Sequence, residues 1–300
     1  MAFLQLTLAV GSADPTPFED ALFAAGAVSV TLEDAADNPV LEPAPGTTPL
    51  WPSVRVKALF DEGADRDVIA VLLRDQLAVP LPQLEFEGIA DRAWEREWLK
   101  DFRPMQFGRR LWICPDGQRP SLSDEDLREA VFIDLDPGLA FGTGTHPTTA
   151  LCLQWLEGAD LAGKAVIDYG CGSGILAIAA LKLGAASALG VDIDPQAILA
   201  TRENAVRNDV ADQLTTMTVE EMTTAPVDVV LANILAEPLL QLAPDLASLT
   251  KPGGAIVLSG ILSEQAAQVA TRYAAWFHIA PIRVHEGWAR IDGVRHHEQR

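Results

Sequence analysis

Two segments carry residue types that do chemistry. The first is Asp136-Pro-Gly-Leu-Ala-Phe-Gly-Thr-Gly-Thr-His-Pro-Thr-Thr149. Gly138, Gly142 and Gly144 permit backbone conformations closed to other residues. Thr143, Thr145, Thr148 and Thr149 supply short hydroxyls that donate and accept. Pro147 suits the first turn of a helix, where no amide hydrogen is needed. The run is far longer than a tight turn needs, so it reads as a loop folded over a small polar ligand rather than as a plain connection. The second segment is Gly163-Lys-Ala-Val-Ile-Asp-Tyr-Gly-Cys-Gly-Ser-Gly174, a short apolar strand running into a glycine turn. Ile175–Leu183 continues as a helix of Ala, Leu and Ile. Amides at such a helix start point at a ligand, and the glycines let the backbone come close.

Glycine spacing narrows the ligand. A dinucleotide fingerprint wants glycines at relative positions one, three and six. Here Gly170, Gly172 and Gly174 stand at one, three and five, with Ile175 sixth, which disfavours a nicotinamide oxidoreductase. Asp168 stands two places before the first glycine. Asp-x-Gly-x-Gly-x-Gly resembles motif I of the class I methyltransferases, which bind S-adenosylmethionine. A carboxylate suits that cofactor, which carries an ammonium and a cationic sulfur and has no pyrophosphate to repel.

Two further strands follow. Ser187–Asp194 places Asp192 about twenty residues beyond the turn, where folds of this type put the acid that takes ribose hydroxyls. Asp194 precedes Pro195 and is read as the cap of a helix over Gln196–Asn208. Val227–Ala236 reads as a strand whose polar end is Asn233, able to accept from a substrate amine or to contact the cofactor.

With Ala140–Thr149 and Asn233-Ile-Leu-Ala236 both on the page, the chain resembles over essentially its whole length the methyltransferases of large-subunit ribosomal protein eleven. That resemblance implies cofactor contacts at Thr149, Gly170, Asp192 and Asn233, with Phe141 and Thr143 in the loop over the methyl-transfer site. It also implies transfer of methyl groups to lysine side chains and an N-terminal amine of that ribosomal protein. The residues read by themselves add Asp168, Gly172 and Gly174 to the cofactor corner. His146 is read as a helix cap before a proton acceptor, and no general base is assigned.

Net charge is -20, which repels nucleic acid and attracts a basic protein. Residues 1–90 hold four Lys/Arg against fourteen Asp/Glu, so the acidity is concentrated there; a solvated surface without a partner would look the same. Cys114, Cys152 and Cys171 fit neither a disulfide framework nor a zinc site, and Cys171 reads as a small filler. No apolar run reaches the roughly eighteen residues of a membrane span. The start, Met1–Val10, alternates like a strand and carries no basic residue of a signal peptide. The expectation is a cytoplasmic, monomeric enzyme without metal, membrane or direct nucleic-acid partner. A methyltransferase of a small molecule or a glutamine side chain is the alternative, as is a non-catalytic cofactor-binding assembly factor.

These residues need elements to hold them. Phe3–Val10, Pro17–Ala25, Ala27–Leu32, Val54–Phe60, Asp67–Gln76 and Gln83–Ile89 alternate as βαββαβ, a ferredoxin-like α+β domain over residues 1–90. Its Pro-rich stretch Glu33–Pro52 is too long for a hairpin turn. Residues 91–104 read as a linker helix with Trp94 and Trp98 on one face, for packing or, less simply, for substrate stacking. Residues 105–300 read as a doubly wound α/β sheet of the Rossmann-like, class I methyltransferase kind. Its early strands are Phe107–Cys114 and Val131–Leu135. Its later elements are helices over Pro238–Leu249 and Glu264–Trp276, a strand over Ala255–Ser259, and strands near His278–Val284 and Trp288–Val294. Pro244 is expected to kink or split its helix.

Overall fold

The structure is a computed structural model describing residues 3–36, 49–77, 81–89, 103–115, 117–135 and 145–297. The chain divides into two compact units, Met1–Trp98 and Leu99–Arg300.

In the first unit, β1 (Phe3–Gly11), α1 (Thr16–Ala24), β2 (Ser29–Asp34), β3 (Val54–Asp61), α2 (Arg66–Gln76) and β4 (Leu84–Ile89) form an antiparallel sheet in the order β2-β3-β1-β4. This is the ferredoxin-like arrangement that the βαββαβ order implies. Period-two alternation drives it. Leu4, Leu6 and Leu8 of β1 and Val54, Val56, Ala58 and Phe60 of β3 share one buried face. Phe18 and Leu22 of α1 and Ile69 and Leu73 of α2 cover that face. Asp65 starts α2 by accepting the amides of Asp67 and Val68. The centre of the Pro-rich stretch and nearly all of the expected linker helix, Trp94 and Trp98 included, lie outside the described residues.

The second unit opens with a small sheet in the order β5-β6-β7. The expected single strand Phe107–Cys114 is instead two, β5 (Met105–Phe107) and β6 (Leu111–Pro115), paired antiparallel. Gly108 takes φ +66° between them, a left-handed backbone that only glycine adopts freely, so the chain turns at Gly108-Arg109-Arg110, between the apolar Phe107 and Leu111. A short helix, α3 (Asp124–Glu129), capped by Ser123, leads to β7 (Val131–Leu135).

The remaining elements are α4 (Pro147–Gly158), β8 (Ala165–Tyr169), α5 (Ile175–Lys182), β9 (Ser187–Asp192), α6 (Pro195–Arg207), β10 (Leu214–Thr218), β11 (Val227–Asn233), α7 (Ala236–Leu249), β12 (Thr250–Leu262), α8 (Ala266–Tyr273), β13 (Phe277–Ile279), β14 (Arg283–His285) and β15 (Trp288–Arg295). They build one sheet in the order β10-β9-β8-β11-β12-β15-β13, with β14 also on β15. The first five are parallel; β15 runs antiparallel between β12 and β13. One face packs against α4 and α5, the other against α7 and α8. Every residue from Ile175 to Leu181 is buried, as expected of a helix that is apolar all round. This is the doubly wound layer arrangement read from the sequence, with β10 and α3 added and the strand expected near His278–Val284 divided into β13 and β14, each paired with β15.

Pro244 does not split α7, which runs unbroken through fourteen residues. A proline has no amide for the carbonyl four residues back. That carbonyl, of Leu240, accepts from the Arg272 guanidinium of α8 at 3.3 Å, and its neighbour on Leu239 accepts from the Tyr273 hydroxyl at 2.9 Å. The helix survives because the next helix satisfies what the proline leaves open.

Candidate active site

Strand order reverses around β8: β9 and β10 lie to one side, β11 and β12 to the other. Crevices at such a reversal, outside the carboxyl ends of the strands, are where open α/β sheets take ligands. Asp168, Asp192 and Asn233 stand at or next to the carboxyl ends of β8, β9 and β11. Three residues separated by tens of positions in the chain thus meet along one edge.

The glycine turn between β8 and α5 is held from several sides. Gly170, Gly172 and Gly174 take φ +77°, +53° and +80°. At Gly170 a methyl group would collide with the Ile234 side chain, and at Gly174 it would lie 2.8 Å from Thr201 Cγ2. Two of the three glycines are therefore demanded by the protein's own packing as well as by backbone shape. The amides of Gly170 and Cys171 both donate to the Val191 carbonyl, at 2.7 and 3.0 Å. The Thr201 hydroxyl donates to the Gly172 carbonyl at 3.0 Å, and the Asn204 amide group to the Ser173 carbonyl at 2.9 Å.

Asp168 is 1% exposed. Its Oδ2 accepts the Ala177 amide at 3.0 Å, in the first turn of α5. Gly174, at the cap position, has no side chain, so a carboxyl from the neighbouring strand serves the helix start instead. Oδ1 is fully buried and, among the described residues, meets no hydrogen-bond partner. Burial pushes this carboxyl up to about 7, with repulsion from Asp192 adding and the Ala177 amide opposing.

Asp192 bridges two loops. Oδ2 accepts the Gly172 amide at 2.9 Å and Oδ1 the Asp194 amide at 3.0 Å. A carboxylate offers about four acceptor sites, so each oxygen keeps one for a hydroxyl of a bound ligand. Asp194 accepts the Gln196 amide at 2.9 Å and caps α6, as expected of it. Ile193 between them is 83% exposed and presents an apolar side chain beside Asp192.

On the other side, the Asn233 side-chain amide donates to the Thr149 hydroxyl at 3.3 Å, joining β11 to the first turn of α4. Thr149 is buried. Its helix is capped by His146, whose Nδ1 accepts the Thr148 amide at 3.4 Å and lies 2.7 Å from the Thr148 hydroxyl. The His146 ring packs edge-on against Trp288, and burial lowers its basicity. Arg290, paired with Asp292 at 3.0 Å, donates to the Leu151 carbonyl and ties α4 to the sheet. Phe141 and Thr143 lie outside the described residues.

Sequence reasoning missed the props behind the turn, Thr201 and Asn204. They face it from one side of α6, some thirty residues away, and only their three-residue spacing on a helix could have flagged them. Cys171 is a filler: its thiol lies 3.3 Å from the Thr201 hydroxyl, and burial pushes it up to about 12, as it does Cys152.

These residues fit a ligand with a hydroxylated ring and a cationic amino-acid end. Asp192 has acceptor capacity for the hydroxyls, and Asp168 holds a buried oxygen in want of a donor.

A family model described as ribosomal protein L11 methyltransferase (PrmA) matches residues 2–296 of the chain. A protein of that description from Pseudomonas putida is 53% identical over 296 residues, covering 98% of this chain and 100% of the relative. Its counterpart from Azotobacter vinelandii is 52% identical over 297 residues, again 98% of this chain and 100% of the relative. Among solved structures, the ribosomal protein L11 methylase of Lactobacillus delbrueckii subsp. bulgaricus is 36% identical, with a TM-score of 0.58 over 65% of this chain and 100% of that one.

Proposed function

Since this chain belongs to the ribosomal protein L11 methyltransferase family, we propose that it moves methyl groups from S-adenosylmethionine to ribosomal protein L11, at lysine side chains and the N-terminal amine. S-adenosylmethionine supplies a methyl group made electrophilic by its sulfonium. The observation that carries the reading is the convergence of Asp168, Asp192, Asn233 and Thr149 around one glycine turn at the strand-order reversal.

Each residue then has a role. Asp192 takes the ribose hydroxyls while keeping the turn in place. Asp168 faces the ammonium. Asn233, steadied by Thr149, orients the substrate amine or the cofactor's amino-acid end. Phe141 and Thr143 belong to the loop over the reacting methyl group. A lysine amine is mostly protonated near neutral pH, since its ordinary pKa is about 10.4. A closed, poorly hydrated site favours the neutral amine with its free lone pair. The sulfonium charge disappears as the methyl moves, so alignment and desolvation carry the step without a dedicated strong base. The acidic first unit is the part that grips the basic substrate. A ribosomal substrate also agrees with a cytoplasmic location, and no helix among the described residues is long and apolar enough to cross a membrane.

Mass spectrometry of ribosomal proteins incubated with the enzyme and methyl-labelled S-adenosylmethionine tests this. The expected result is label on L11 in steps of one methyl, at lysine and N-terminal amines. Label confined to other side chains, or absent from every ribosomal protein, would overturn it.

A further inference from the structure

Asp168 sits in an unusual electrical environment for an acid. Its Oδ2 is engaged with the Ala177 amide, and its buried Oδ1 has no donor among the described residues. An ionised carboxylate with one oxygen fully buried and without a donor among the described residues is costly, because a single backbone amide replaces little of its lost hydration.

The elements packed around it bring no counter-ion. β9 contributes Asp192, a like charge. The turn contributes Cys171 and α4 contributes Cys152, both held as neutral thiols by burial. β11 faces it with Leu231, and α6 reaches the turn with the neutral Thr201 and Asn204. The cation of α5, Lys182, stands at the far end of that helix, about 10 Å along its axis, and donates to the Asn208 carbonyl. Arg290, beyond α4, is spoken for by Asp292 and the Leu151 carbonyl. Among the described residues, the positive end of α5, through one amide, is what favours charge on Asp168.

We infer that Asp168 carries a proton in the free protein and releases it to solvent when the ammonium of the cofactor settles against Oδ1, so that cofactor binding is coupled to proton release. This rests on the S-adenosylmethionine reading above. The ammonium supplies both the missing donor and the missing positive charge, and an N–H donor pairs with the ionised acid far better than with the neutral one. The carboxyl, pushed up to about 7 in the free protein, is drawn below the working pH in the complex. The sign follows: the ionised acid binds better, so affinity rises with pH until the free protein's Asp168 is itself ionised, and falls again once the ligand's own ammonium loses its proton above about pH 8. The coupling also confers selectivity. A ligand without the amino-acid end leaves the proton where it was.

Isothermal titration calorimetry at pH 6.5, in buffers of different ionisation enthalpy, reads the proton count directly. At that pH an α-ammonium, with an ordinary pKa of about 7.7–8.0, is already charged and takes up almost nothing. S-adenosylhomocysteine, which keeps the ammonium, should release roughly 0.7 proton per site. 5′-Methylthioadenosine, which lacks the amino-acid end, should release none. Between pH 7.5 and 5.5 the dissociation constant of S-adenosylhomocysteine should rise roughly twentyfold, and that of 5′-methylthioadenosine should stay level. In Asp168→Asn the release should vanish. Binding of S-adenosylhomocysteine to the unmodified enzyme with no proton release, or with the same release as 5′-methylthioadenosine, overturns the linkage and leaves the cofactor reading intact. No binding of S-adenosylhomocysteine overturns both. The comparison of the two ligands decides the matter even if the variant does not fold.

Discussion

At the residue scale the site rests on carboxylates that hold the fold and that we propose also hold the ligand. Asp192 holds the glycine turn and the head of α6 through two amides. Asp192→Ala should weaken S-adenosylhomocysteine binding by roughly 1–3 kcal/mol, about 5- to 150-fold, through lost charge-assisted hydrogen bonds. Calorimetry checks this, and unchanged affinity would sink the ribose assignment. Asp168, Asp192 and the three glycines were legible in the sequence because their spacing is local. Asn233 was legible as a polar end to an apolar strand. Its bond to Thr149 was not, since it joins residues 84 positions apart through a tertiary meeting of strand and helix. Thr201 was missed for the same reason: on α6 it is one polar residue among several, and only the fold turns it toward the turn.

At the scale of elements, the glycine turn is a three-way junction of β8, β9 and α6. Gly174 takes φ +80° with Thr201 Cγ2 2.8 Å from where a methyl group would stand. Gly174→Ala should therefore cost about 2–4 kcal/mol in unfolding free energy, from left-handed backbone strain plus overpacking. Urea denaturation measures it, and a loss below about 0.5 kcal/mol would mean the turn relaxes freely. Gly174→Ala combined with Thr201→Ser, which removes the offending methyl group, should recover part of the loss. Among the element-level expectations that failed, two have identifiable reasons. Phe107 and the apolar run Leu111–Cys114 invite one strand, but Gly108-Arg109-Arg110 interrupts them and forms the turn. Pro244 signals a broken helix by every local rule, and what overrides it is the Arg272 guanidinium, which reaches the Leu240 carbonyl from 32 residues further along the chain.

For the whole molecule, two periodicities in one chain made the two-part organisation readable: strict alternation in β1 and β3, then strands interleaved with apolar helices from β8 onward. A partition of labour follows from the acidic bias of residues 1–90. A protein lacking residues 1–90 should keep S-adenosylhomocysteine affinity within about twofold and lose methylation of L11; methylation at the full rate would refute the recognition role. The sheet order has a further consequence, for how the molecule is made. β15, residues 288–295, lies between β12 and β13 and carries the buried Ala289 and Ile291, with the Ser259 hydroxyl donating to the Ala289 carbonyl. Synthesis runs from the amino terminus, so β12 and β13 are finished while the strand that joins them has still to emerge. The first unit can close early on its own core. The second stays an open sheet with a bare edge on β12 until residue 295 has left the ribosome, so its sheet closes only after β15 has emerged.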